Sequence, residues 1–190
     1  MNDNFRLIAL TSHFNADAFS FDTDRARGHF GLSCYPAEEM PEPQKTFNSY
    51  EIPFIFPDVT RRQNNIESYC QKIVPPQEVY SSFFFLGACD NGSFLESIKV
   101  RDAKCEYVHK VGLTDWCENP QYGERRAFEA SHAHAAQNDI FSYRPQIWLQ
   151  ALTFASPTQI KEIELPDNPC FHVFALTLKI CEKQNGYSTH

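Results

Sequence analysis

The chain has 190 residues, with 24 acidic and 17 Lys or Arg side chains and a formal net charge of −7. That length fits one domain, and a chain of this size buries roughly 70% of the surface its unfolded form exposes, enough for a core without covalent staples. The acidic balance argues against nucleic acid or an anionic membrane as partner, because both demand clustered Lys and Arg. Seventeen Phe and 12 Pro against 2 Met favour sheet over a helical bundle.

The N-terminal run from Met1 to Leu10 has no basic n-region, and its apolar stretch is short and interrupted. This predicts no secretory leader and a cytoplasmic location. No window approaches the ~18 apolar residues of a membrane-spanning helix. Ala37-Glu38-Glu39-Met40 lies between Pro36 and Pro41 and has room for about one helical turn. Ile52–Phe56 reads as a strand ending at Pro57. Val79–Ala88 is a second strand, and Asp90-Asn91-Gly92 after it predicts a hairpin into Phe94–Val100. Glu106–Trp116 alternates as a half-buried strand does. Glu124–Gln137 is ambiguous, since good helix formers there also alternate with period two. Gln146–Phe154, Ile160–Pro166 and Phe171–Leu178 complete the strands. Their spacing predicts an all-β chain: one antiparallel, jelly-roll-like β-sandwich over residues 1–190, core roughly 7–179, with at most one or two short helices.

Cys34, Cys70, Cys89, Cys105, Cys117, Cys170 and Cys181 form an odd set without C-x-x-C. They read as free thiols, not as a disulfide framework or a paired-cysteine zinc site. Asp22 and Asp24 place two carboxylates in a loop, the beginning of a calcium site, although Arg25 and Arg27 also neutralise them locally. His132 and His134 share a face if their segment is a strand and could then move protons or bind zinc, with acid–base work favoured. Asp115 beside Trp116 offers a carboxylate against an indole, either to grip a sugar or to hold an acid of raised pKa. Gln146, Trp148 and Gln150 recur at period two, and with Tyr35 they predict a ligand-lined concave face. The neighbouring carboxylates of Glu38 and Glu39 point apart and so read as loop anchors.

Several segments occur in the order of a known domain. They are His13-Phe14-Asn15, Phe21-Asp22-Thr23-Asp24-Arg25, Gly28-His29-Phe30-Gly31, Ser33-Cys34-Tyr35-Pro36-Ala37-Glu38-Glu39-Met40-Pro41 and Ile52-Pro53-Phe54-Ile55-Phe56-Pro57. Gln63-Asn64-Asn65-Ile66, Gln71-Lys72-Ile73, Leu86-Gly87-Ala88, Asp115-Trp116 and Phe171–Leu178 follow. Together they resemble the β-sandwich domain at the end of many secreted bacterial glycoside hydrolases. Gly31 stands where that pattern has Asp. The resemblance implies a sandwich of carbohydrate-binding-module type; the residues read above, Tyr35, Trp116, Gln146, Trp148 and Gln150, are the expected contacts for a saccharide or other small ligand. It fixes no activity, because a sandwich hosts many functions.

Two functions follow as expectations. One is non-catalytic binding of a saccharide or similar small ligand. The other is a cofactor-independent cyclase, isomerase or lyase of a specialised-metabolite pathway, with Asp115, His132 and His134 as acid and base. Neither needs a cofactor, with calcium at Asp22 and Asp24 the one candidate ion. Oligomeric state is open.

Overall fold

The computed structural model describes residues 4–25, 30, 32–42 and 45–181. Arg27, Gly28, His29 and Gly31 lie outside the described residues. In chain order the strands are β1 (Phe5–Ile8), β2 (Phe19–Ser20), β3 (Ser33–Pro36), β4 (Thr46–Ser49), β5 (Ile52–Ile55), β6 (Ile66–Tyr69), β7 (Lys72–Ile73) and β8 (Val79–Cys89). There follow β9 (Phe94–Arg101), β10 (Glu106–Leu113), β11 (Arg125–Glu129), β12 (Ala133–Ala135), β13 (Asp139–Ile140), β14 (Gln146–Gln159), β15 (Glu162–Glu164) and β16 (Asp167–Ile180). A 3-10 turn, Ala37–Glu39, sits between the two flanking prolines, as its length predicts. The ambiguous segment after Glu124 is strand, in two pieces.

The three longest apolar runs sit together. β8 is central, flanked by β16 and β14, and the sheet continues to β1 on one side and β11 on the other, with β6 also on β16. A second sheet runs β10-β9-β15-β7, a third β13-β12-β3-β2, and β4 pairs with β5. The pairs are antiparallel except β2 with β3. The chain is therefore all-β, a sandwich of several sheets. Among the described residues no helix is long and apolar enough to cross a membrane.

Asn91-Gly92 is a tight turn, with φ of 55° and 123°, but it makes no hairpin. β8 pairs with β14 and β16, whereas β9 pairs with β10 and β15. The turn carries the chain from one sheet to the other, because the apolar faces on either side of it are buried against different partners. The local hairpin is β9–β10, where the carboxylate of Asp102 accepts from the amides of Lys104 and Cys105.

The Phe excess fills the space between sheets. Phe19, Phe30, Phe54, Phe56, Phe83, Phe85, Phe171 and Phe174 are fully buried, each contributing about 1.5–3 kcal/mol of apolar burial. β16 bulges at Phe174: Val173 faces Gly87 and Ala175 faces Leu86. The extra residue packs into a group of rings with Phe19, Phe30 and Tyr35. β8 and β16 approach closely beside it. A methyl on Gly87 would lie 2.5 Å from the His172 carbonyl oxygen and 2.8 Å from Leu113.

Candidate functional site

The turn that crosses between sheets is also the lip of a cavity. β8 ends at Cys89, which bridges to Asp115 in parallel, so Asp90-Asn91-Gly92 lies beside Asp115-Trp116-Cys117-Glu118. The cavity holds about 560 Å³, and its lining includes Asp90, Asp115, Trp116, Glu118 and Tyr143. The loop that forms its far side is pinned from within. Buried Glu124 accepts from the Thr114 hydroxyl and amide (N···O 3.1 Å) and from the Tyr122 amide at 2.7 Å.

Asp115 lies just past β10, in the turn that follows it. Its two carboxylate oxygens accept from the amides of Gly92 (3.0 Å) and Cys117 (2.9 Å). Burial nevertheless pushes its pKa up, against those hydrogen bonds, and the charges of Glu118 and Asp90 push the same way. Behind Asp90 stands a buried histidine. His172 Nδ1 is 2.9 Å from Asn65 Oδ1, an acceptor, so the ring hydrogen is on Nδ1. Its Nε2 therefore faces the Asp90 carboxylate, at 3.5 Å, with a lone pair when the ring is neutral. Phe30 covers the imidazole, with ring centroids 4.2 Å apart, and Trp116 packs edge-on to Phe30 and Tyr35. The cavity lining carries three carboxylates and, among the described residues, no Lys or Arg.

A second cavity, of about 360 Å³, lies between Ile8 and Ile55. Its charged residues, Asp58 and Arg61, face each other at 3.4 Å, and it gathers no acid–base pair.

A second polar cluster lies on the β13-β12-β3-β2 sheet. His134 is on β12, His132 two residues earlier, and their rings meet with centroids 5.1 Å apart. His134 is buried and its Nδ1 lies 3.0 Å from the Ser20 carbonyl oxygen. His132 Nδ1 lies 2.8 Å from Ser131 Oγ and 3.2 Å from a Glu39 carboxylate oxygen. Both Nε2 atoms approach Asp139, at 3.6 and 3.8 Å, and His134 Nε2 is 3.5 Å from Asp22. The Arg25 guanidinium bonds both Asp22 and Asp139. Its hydrogen bond, more than its charge, holds the Asp139 carboxyl below the usual range.

A family model of the AziU2-like β-sandwich domain matches residues 4–181. The chain belongs to that family. Among curated proteins, none matches. With the module-type likeness drawn from the sequence, this AziU2-like domain shares a β-sandwich, and the match says nothing of saccharide.

The AziU2-like domain disposes the expected site residues differently from their order in sequence. Asp115 and Trp116 do line a cavity. The amide–indole–amide face of β14 does not: it turns inward. Trp148 and Tyr35 are fully buried, Gln146 and Gln150 nearly so. Their polar atoms brace the fold. Gln146 donates to the Glu118 carbonyl at 3.0 Å and accepts from Arg126 at 2.6 Å. Gln150 donates to the Gly112 carbonyl at 2.8 Å. Trp148 Nε1 lies 3.4 Å from the Asp115 carbonyl, and Tyr35 donates to the Gln146 carbonyl at 2.8 Å. Burial, with nearby Cys117 and Asp115, lifts the Tyr35 phenol well above its ordinary pKa.

His132 and His134 share a face, as a strand requires, but they do not line the cavity of Asp115. Asp22 is drawn into the histidine cluster while Asp24 is exposed, so the two carboxylates do not face one ion. Glu38 and Glu39 do point apart, to the Asp22 amide and to Ser131. Sequence reasoning missed Asp90, His172 and Asn65 as site residues, and also Asp139; it set Arg25 beside Asp22, where it lies, but not beside Asp139. Asp90 was hidden as turn chemistry, and His172 inside an apolar run. A histidine between Phe171 and Val173 is the signal that could have marked it, since a buried imidazole needs partners.

Proposed function

We propose that this domain is an enzyme that moves protons with its own side chains, acting on a small molecule of a specialised-metabolite pathway as a cyclase, isomerase or lyase. The observation that carries the reading is the pair of unlike carboxylates in one cavity. Asp115 is pushed towards its protonated form by burial, while Asp90 is backed by an imidazole already oriented by Asn65. Two carboxyl groups with different surroundings divide naturally into acid and base. Asp115 serves as the acid. Asp90 takes a proton from the substrate, and His172 behind it, fixed by Asn65, positions its carboxylate. Three carboxylates, with no Lys or Arg in the lining among the described residues, suit a substrate bearing an amine or several hydroxyls. The family's name supports a place in specialised metabolism.

Saccharide binding without catalysis is the second reading, favoured by half-exposed Tyr143 at the rim beside Glu118. One experiment separates the two. A host strain lacking the gene is complemented with wild type, Asp115→Asn, Asp90→Asn or His172→Gln, and its metabolites are profiled. The enzyme reading predicts a product restored by wild type and reduced at least ~100-fold by either Asp variant, the scale of acid–base catalysis. Full product from both Asp variants contradicts it. A glycan-array signal lost in Asp115→Asn, with metabolites unchanged, establishes the binding reading instead.

A further inference from the structure

We propose that His132, His134 and Asp139 form a binding site for a divalent transition-metal ion, with Asp22 as fourth ligand. The site is separate from the cavity of Asp115, and the proposal does not rest on catalysis there.

The argument starts from the ring hydrogens. His134 Nδ1 donates to the Ser20 carbonyl oxygen, which can only accept. The Ser20 hydroxyl, 3.1 Å from the same nitrogen, is also 2.7 Å from Cys34 Sγ. His132 Nδ1 faces a Glu39 carboxylate oxygen, also only an acceptor, with the Ser131 hydroxyl bonded to that same carboxylate. Both hydrogens are thus on Nδ1, and both Nε2 atoms present lone pairs. This is the outer arrangement of metal-bound histidine: one nitrogen tied to a carbonyl or carboxylate, the other free to ligate.

The two lone pairs then converge on carboxylate oxygen. His132, His134 and Asp139 bring ligand atoms within 4.8 Å of one another. The contacts to Asp139 and Asp22 measure 3.5–3.8 Å. Bonds of about 2.0–2.1 Å in a tetrahedron place neighbouring ligand atoms roughly 3.3–3.4 Å apart, so the histidine–carboxylate contacts need close by only a few tenths of an ångström. Lone pairs and carboxylates gathered this way repel unless something positive lies among them. Arg25 supplies part of that charge by bonding Asp22 and Asp139. It reaches neither Nε2 in any contact described above. Arg25 holds the same Asp22 and Asp139 oxygens that face the imidazoles; each carboxylate has a second oxygen, to which Arg25 shifts when the ion takes the first. Imidazole with carboxylate suits zinc and its first-row neighbours better than calcium, which prefers oxygen alone. His134 is buried and Phe141 packs at a tilt against His132, ring centroids 5.3 Å apart, while Asp22 leaves the site open to solvent on its side.

The test uses the full chain, stripped with chelator, in a Cys70→Ser/Cys105→Ser background so that the exposed thiols do not take metal. Zinc chloride is titrated by calorimetry and cobalt chloride by visible absorption. The expected result is one zinc per chain and a four-coordinate cobalt spectrum. Both should weaken at least about tenfold in His132→Ala and in Asp139→Asn, since even outer-shell losses reach that size. These positions are partly exposed, so the variants are expected to keep the wild-type near-ultraviolet circular dichroism. Arg25→Gln should bind zinc at least as tightly as wild type. No stoichiometric zinc uptake, or uptake unchanged in both His132→Ala and Asp139→Asn, overturns the site. Metal content is the readout, so this result is independent of any activity at Asp115.

Discussion

At the scale of single residues, exposure and partners separate working groups from braces. Trp148 and Gln146 look like binding residues when β14 is read alone. In the folded chain the indole fills the core and the amide spans Glu118 and Arg126. Removing the indole leaves a cavity, so Trp148→Ala should cost about 3–5 kcal/mol. Gln146→Leu should cost about 1–3 kcal/mol, because the Glu118 carbonyl loses its donor. Urea denaturation of both variants checks this; wild-type stability in either would return that residue to the list of ligand contacts. Asp115 behaves oppositely. Its carboxyl is disfavoured in the charged form by burial, so ionising it at neutral pH costs stability. Asp115→Asn relieves that charge but turns an NH2 towards the Gly92 or Cys117 amide, so the two effects oppose and the denaturation midpoint should stay near wild type while product is lost. The residue-level signals in the sequence were uneven for the same physical reason. That His132 and His134 share a face follows from a two-residue period, which is local. That Asp22 and Arg25 join them across more than 100 residues follows from the pairing of β12 with β3 and β3 with β2, which is not.

At the scale of elements, apolar content told which segments are strands, and burial on both faces explains why β8, β14 and β16 stood out. Their neighbours did not follow from it. Asn91-Gly92 has the composition of a hairpin turn, yet the strands it joins lie in different sheets. Placement of the cavity depends on that crossing, since the Gly92 amide reaches Asp115 only because the turn lies over the other sheet. Short β1, β6 and β7 left little periodic signal over two to four residues each. The contact of β8 with β16 can be tested at Gly87. Gly87→Ala drives a methyl against the His172 carbonyl and Leu113, and overpacking of this kind costs about 1–3 kcal/mol. A melting temperature within a degree of wild type would show that the strands are less tightly apposed.

At the scale of the whole molecule, an acidic chain carries a ladder of ion pairs on the second sheet. Lys99 and Arg101 reach Glu162, Glu164 and Glu106. The Lys99 hydrogen bond, against burial, holds the nearly buried Glu164 below its ordinary value of 4.5. A carboxyl with a lowered folded pKa stabilises the protein above its unfolded pKa and loses that contribution as pH falls through the folded one. Stability should thus fall below about pH 4.5, and Glu164→Gln should flatten that limb in acid titrations followed by circular dichroism. An unchanged limb would place the acid sensitivity elsewhere.

If two unlike carboxylates beside a buried histidine perform proton transfer on a small molecule, solvent hydrogen enters or leaves that molecule in their presence. The most direct measurement incubates purified protein with a small-molecule extract of the gene-deleted host in deuterium oxide and follows it by mass spectrometry. The account predicts that wild type consumes at least one metabolite and yields a product of equal mass, or of equal mass less a neutral fragment, apart from incorporated deuterium. Asp115→Asn and Asp90→Asn should leave that metabolite intact. An extract unchanged by wild type, or changed equally by both variants, would contradict it.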